Sequence, residues 1–234
     1  MEKIITKIRT ELKANADEVI KTSAQRFFKE GIKLYGMKNA VAEKIAKKYW
    51  LEVKELSKGK IFSLCEKLIE SGYQEEFYAV CVWLPKIVKQ LKPEDLKTFG
   101  RWIDRYVDNW AKCDTFCNHT VGDFIQKYPQ KINELKKWAE SKNRWMKRAS
   151  AVTLIIPARK GLFLEDIFDI ADILLADSDD MVQKGYGWML KAASEAHQGK
   201  VLQFVMERKD RMPRTALRYA IEKMPPELRK KAMN

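Results

Sequence analysis

Apolar residues recur at helical spacing along almost the whole of this 234-residue chain. Phe163, Ile167, Ile170 and Leu174 follow one another at intervals of four, three and four, which traces one face of a helix, while Glu165, Asp166, Asp169 and Asp172 fill the opposite face. No stretch sustains an alternation of apolar and polar residues, and no Asn-Gly or Asp-Gly pair separates β-branched runs as a hairpin would need. The pattern predicts an all-α protein.

Pro93, Pro129, Pro157, Pro213 and Pro225 fall where a helical pattern stops or begins, and Ser178-Asp179-Asp180 reads as an N-cap region. Helices are expected at about 3–14, 17–34, 38–56, 60–71, 74–91, 94–107, 109–127, 130–140, 143–156, 162–175, 180–196, 199–208, 213–223 and 226–232. Those starting near Gln74, Asn109, Asn143, Asp180 and Pro213 lie roughly 32 to 38 residues apart, a helix-pair repeat period. No tetratricopeptide consensus is present. The expectation is a single domain over residues 1–234, an α-solenoid or superhelix of HEAT-like repeats whose neighbours bury a continuous core and leave a concave surface.

With 45 Lys+Arg against 32 Asp+Glu, the formal charge of +13 favours a polyanionic partner. Basic residues recur at comparable places in the repeats: Arg144, Lys147 and Arg148, then Lys184 and Lys191, then Arg214 and Arg218. If equivalent helices line the concave face, these charges form a basic groove that can follow a phosphate backbone, against the plainer reading of solvated helix faces. The longest apolar run, Tyr78 to Leu84, is far short of the roughly 20 residues that span a bilayer, and the first residues lack a secretory leader. Four cysteines without framework spacing fit a reducing compartment, so a cytoplasmic location is expected, and a monomer is expected because no long uncompensated apolar surface pattern stands out. Cys113, Cys117 and His119 have no fourth ligand and read as two small buried thiols beside an unrelated histidine; no metal site is expected.

Trp110 and Asp114 stand four residues apart and place an aromatic face and a carboxylate on one side of a helix, a pair able to serve a cationic centre. Of the other tryptophans, Trp83, Trp102, Trp138 and Trp145 read as packing residues. Gly185 and Gly187 interrupt the helix that carries Trp188, each at a cost of about 1 kcal/mol relative to Ala, so either close approach to a ligand or tight helix packing is expected there.

Five segments, in this order and spacing, resemble the DNA alkylation repair enzymes, HEAT-like-repeat DNA glycosylases of the AlkD type. They are Arg26-Phe-Phe-Lys-Glu-Gly-Ile-Lys-Leu-Tyr-Gly-Met37, Trp110-Ala-Lys-Cys-Asp114, Asn143-Arg-Trp-Met-Lys-Arg-Ala149, Val182-Gln-Lys-Gly-Tyr-Gly-Trp-Met-Leu-Lys191 and Met212-Pro-Arg-Thr-Ala-Leu-Arg-Tyr-Ala220. The resemblance covers nearly the whole chain. It implies hydrolysis of the N-glycosidic bond of N3- or N7-alkylated purines in double-stranded DNA, without metal or organic cofactor. It also implies that Asp114 is the catalytic carboxylate, Trp110 and Trp188 the active-site tryptophans, and Arg148 a phosphate contact. Lys147, Lys184, Lys191, Arg214 and Arg218 complete the expected DNA-binding set. One position departs from the family: Phe27 stands where a tyrosine is frequent, so any hydroxyl contact to DNA there is lost. Two rival readings are a non-catalytic binder of branched or distorted DNA and a protein-binding helical-repeat scaffold.

Overall fold

The structure, a computed structural model, describes residues 2–29 and 31–234, whose regular structure is helical with no strand among them. The chain forms two compact units, Met1–Thr115 and Phe116–Asn234. Unit 1 holds α1 (Glu2–Ala14), α2 (Glu18–Gln25), α3 (Asn39–Val53), α4 (Lys58–Ile69), α5 (Gln74–Trp83), α6 (Asp95–Tyr106) and α7 (Trp110–Thr115), with a 3-10 turn at Leu84–Gln90. In it α3 packs on α5 and α5 on α7, while α4 packs against α1, α5 and α6. The indole N–H of the fully buried Trp83 donates to the Ala46 carbonyl at 2.8 Å, which fixes α5 on α3.

Unit 2 opens with a π-helical turn (Phe116–Val121) and contains α8 (Gly122–Lys127), α9 (Ile132–Ala139), α10 (Arg144–Val152), α11 (Ile155–Arg159), α12 (Leu164–Ile173), α13 (Asp180–Arg208), α14 (Arg214–Ala220) and α15 (Pro226–Met233). Here α10 packs on α13 and α13 on α14, while α9 joins α10 and α12. The starts of α5, α7, α10, α13 and α14 match the expected repeat to within one residue. The cap expected at 178–180 is Asp179, whose carboxylate accepts the N–H groups of Met181 and Val182 at 2.8 and 3.3 Å.

Several helices differ from their expected extent. The helix expected over 17–34 ends at Gln25, because α2 buries no residue and the chain beyond it is captured by other groups. Residues 31–38 carry no regular structure, yet Leu34, Tyr35 and Met37 are buried. Gly36 takes φ +88°, and a Cβ on it would lie 2.4 Å from the Asp17 carbonyl oxygen, so only glycine passes this close to α2. The helix expected over 74–91 becomes 3-10 from Leu84, beside Pro85, which has no N–H to continue the α ladder. The helix expected over 143–156 breaks after Val152 and restarts at Ile155, with Pro157 in the short second piece. The break expected between 196 and 199 appears as a kink in the single long α13, where His197 has φ −133° and ψ 49° and its Nε2 lies 3.0 Å from the Gly161 carbonyl oxygen.

Candidate functional site

In unit 1, α7 is fixed from its first residue. The side-chain oxygen of Asn109 accepts the Lys112 N–H at 3.0 Å, and its amide donates to Asp108 and Gln74 at 2.7 and 3.1 Å. The Lys112 side chain is fully buried, and its ammonium donates to the Gly72 carbonyl and the Asp108 carboxylate at 2.9 and 2.8 Å. A buried cation is tolerated only with such partners. The network fastens the start of α7 to the turn before α5 and holds the helix against rotation, so that Trp110, Ala111, Asp114 and Thr115 all line one cleft of about 680 Å³.

The opposite wall comes from α2 and the chain after it. Phe28 stacks on Trp110 with ring centroids 5.4 Å apart, and Val19 and Phe27 stand at the cleft with 80% and 74% of their surfaces exposed. This wall is held by two buried carboxylates of α5. Glu75 accepts the backbone N–H groups of Tyr35 and Gly36 at 3.0 and 2.9 Å. Glu76 accepts the Tyr35 hydroxyl at 2.7 Å and both the Arg9 Nε and Nη2 groups near 3.0 Å. Burial, together with that bond to Glu76, raises the Tyr35 phenol far above its ordinary range. Among the described residues, the acids that line the cleft are Glu75 and Asp114. Glu75 has each oxygen engaged by a backbone N–H, a structural duty.

Unit 2 carries the remaining residues expected at the site. Trp188 is half-buried on α13, whereas Trp83, Trp102, Trp138 and Trp145 are buried, as expected of packing residues. The glycines beside Trp188 answer to helix packing. A Cβ on Gly187 would lie 2.7 Å from the Tyr219 Cβ and 2.8 Å from the Ala216 carbonyl oxygen, and one on Gly185 would lie 3.2 Å from the Arg148 Cγ. Arg148 is buried, 5% exposed, and its guanidinium donates to the Met181 carbonyl, tying α10 to the first turn of α13.

The other expected DNA contacts divide by their present partners. Lys147 pairs with Asp177 at 2.6 Å, Lys184 with Asp180 at 2.7 Å and Lys191 with Glu222 at 2.9 Å. Arg214 donates to the Met233 carbonyl at 3.0 Å, while Arg218 is exposed and forms no ion pair among the described residues. Sequence reasoning missed Phe28 and the Glu75–Tyr35 anchorage. The doubled aromatic at 27–28 was a signal for the former; nothing local signals the latter. Among the described residues no group of three or more His, Cys, Asp or Glu side chains is placed to hold a metal ion, and no helix is long and apolar enough to cross a membrane.

Fold and site together define an all-α helical-repeat protein, strongly basic, with a carboxylate set in an aromatic cleft. The family model described as DNA alkylation repair enzyme matches residues 8–224, and the chain belongs to that family. A solved structure described as a predicted DNA alkylation repair enzyme from Enterococcus faecalis shares the fold, with a TM-score of 0.82 at 14% identity over 91% of this chain and 98% of that one. No curated protein sequence matches significantly.

Proposed function

We propose that this protein is a DNA glycosylase that hydrolyses the N-glycosidic bond of cationic N3- or N7-alkylated purines in duplex DNA and leaves an abasic site. The observation that carries the reading is the placement of Trp110 and Asp114, one turn apart on α7, in the same aromatic cleft of a chain from the DNA alkylation repair family. Alkylation at N3 or N7 gives the purine a positive charge and makes it a better leaving group. The protein then has two tasks: to stabilise the oxocarbenium-like sugar and to deliver water. The Asp114 carboxylate serves both, offsetting the developing charge and orienting or deprotonating the attacking water. The indole face of Trp110 meets the cationic base, contributing on the order of 0.5 to 2 kcal/mol according to how dry the contact is, and the sequence resemblance assigns Trp188 the part of a second active-site tryptophan.

In this reading the DNA backbone is met by the basic residues of unit 2. Lys147, Lys184 and Lys191 exchange an internal carboxylate for a phosphate, Arg214 and Arg218 reach one from α14, and Arg148 contributes from its buried position on α10. The chemistry needs no metal or organic cofactor, because the lesion supplies its own leaving-group charge. The deciding experiment is release of N7-methylguanine and N3-methyladenine from methylated duplex DNA in the presence of a chelator, by wild type and by Asp114→Asn. The expected result is release by wild type, and binding without release by the variant. Equal release by both proteins would remove Asp114 from the chemistry. Salt-sensitive binding with no release by either would instead make the protein a non-catalytic binder of distorted DNA.

A further inference from the structure

A second cavity, of about 540 Å³, lies between α14 and α15 of unit 2 and shares no residue with the Trp110 cleft. Its lining includes three cations, Arg218, Arg229 and Lys230, all exposed. None of them forms an ion pair among the described residues, in contrast to Arg144, Lys147, Lys184, Lys191 and Arg208, each paired with an acid of the same unit. Among the described residues the carboxylate lining the pocket is Glu222, and Lys191 neutralises it at 2.9 Å. The same ammonium stands 5.4 Å from the centroid of the Tyr219 ring, which also lines the pocket. The Arg214 guanidinium donates to the Met233 carbonyl at 3.0 Å and so ties the start of α14 to the far end of α15.

We propose that this pocket is a phosphate-binding site for a nucleic-acid backbone. Three like charges around one cavity repel one another, and an anion between them relieves that repulsion. Arginine forks and an ammonium suit phosphate oxygens, the Thr215 hydroxyl can add a further donor, and Tyr219 offers a flat face to a sugar or base beside the phosphate. Two of the three cations, Arg229 and Lys230, stand on α15, beyond the repeating Lys147, Lys184 and Lys191 positions and on a helix that the sequence pattern did not include in the groove. Arg229 and Lys230 become backbone contacts that extend the DNA footprint to α15. The choice of DNA as the source of the phosphate rests on the proposed function.

The test measures affinity of the full chain for a short lesion-free duplex across a range of salt, for wild type, Arg229→Gln/Lys230→Gln, and a control with two exposed cations of unit 1 neutralised, Lys60→Gln/Lys97→Gln. Deoxyadenosine monophosphate is titrated in parallel. Loss of two phosphate contacts reduces the steepness of log K against log salt by about 2 in the pocket variant, and the control keeps the wild-type slope. Identical slopes for wild type and pocket variant, with wild type binding normally, overturn the pocket while leaving the glycosylase reading intact. An equal loss in the control overturns it too, since the effect is then one of net charge. Tight nucleotide binding that only the pocket variant loses, with unchanged duplex slopes, overturns the backbone assignment in favour of a free nucleotide. No salt-sensitive duplex binding by wild type refutes the DNA reading itself. All four substituted residues are exposed, and unchanged thermal melting confirms that each variant is folded.

Discussion

Phe28 lies parallel to Trp110, its ring plane 13° from that of the indole and its centroid 5.4 Å away. One face of the tryptophan is thus occupied by protein, and the indole is held at a fixed angle with 36% of its surface exposed. A stacked aromatic pair is worth about 0.5 to 1.5 kcal/mol beyond its area, and Phe28→Ala releases the indole from that orientation. Single-turnover release of N7-methylguanine is expected to slow by about 2- to 10-fold, the kinetic equivalent of that energy. Phe28→Tyr keeps the stack and the rate. A wild-type rate in Phe28→Ala would show that the stack does not orient Trp110 for the reaction.

The Glu76 network makes a separate prediction about folding. Its carboxylate is fully buried and gathers Arg9 from α1 and Tyr35 from the cleft wall. Removing it with Glu76→Ala leaves the buried Tyr35 hydroxyl without its acceptor, and a loss of about 2 to 3 kcal/mol in urea unfolding is expected. Tyr35→Phe removes only one neutral donor and is expected to cost about 1 kcal/mol. If the two variants unfold at the same urea concentration, Arg9 contributes nothing through Glu76.

Gly185 and Gly187 lie on one helix but face different neighbours. At Gly187 the obstruction is the backbone of Ala216 and the Cβ of Tyr219, which cannot swing aside. Gly187→Ala is expected to destabilise by about 1 to 3 kcal/mol through overpacking, despite the gain in helix propensity. At Gly185 the obstruction is the Arg148 side chain at 3.2 Å, and a shift of a few tenths of an ångström relieves it. Gly185→Ala is therefore expected within about 1 kcal/mol of wild type, since the propensity gain offsets the contact. Chemical denaturation that ranked the two in reverse order would refute the packing account.

The pH dependence of stability follows from three carboxylates. The hydrogen bond from Arg101 holds Glu66 below its ordinary value of 4.5, and the hydrogen bonds from Lys48 and then Tyr49 do the same for Glu11. Groups lowered in the fold contribute stability that is fully present above the unfolded value and is lost as pH falls through the folded one. Melting temperature is expected to drop below about pH 4.5, with a shallower drop in Glu66→Gln.

Asp123 has the opposite sign, because burial raises it above its ordinary 3.8. Its charged form is penalised in the fold above that raised value, and the penalty vanishes below the unfolded one. Asp123→Asn is expected to melt higher than wild type at pH 7 and to converge with it near pH 3.5. Coincident melting at every pH would show that Asp123 is solvated in the folded protein.

The sequence by itself determined the helical class, the repeat positions near 74, 109, 143, 180 and 213, each within one residue of the helix starts in the structure, and the spacing of Trp110 and Asp114 on one helix. All of these follow from the 3.6-residue period and local caps, which depend on neighbours in the chain. It also marked Trp83, Trp102, Trp138 and Trp145 as packing residues, and all four are buried.

Only the tertiary structure decided the course of residues 26–29 and 31–38. Local pattern carries a helix to residue 34, but Glu75 takes the backbone N–H groups of Tyr35 and Gly36 from about 40 residues away, and no local preference outweighs two hydrogen bonds to a buried carboxylate. That capture sets Phe28 on Trp110 and forms the cleft. The charge pattern was legible as a count and not as a surface, because Lys147, Lys184 and Lys191 meet acids 30, 4 and 31 residues away while Arg218, Arg229 and Lys230 meet none among the described residues. Residue type fixes the sign of a charge; what neutralises it depends on which helices the fold brings alongside.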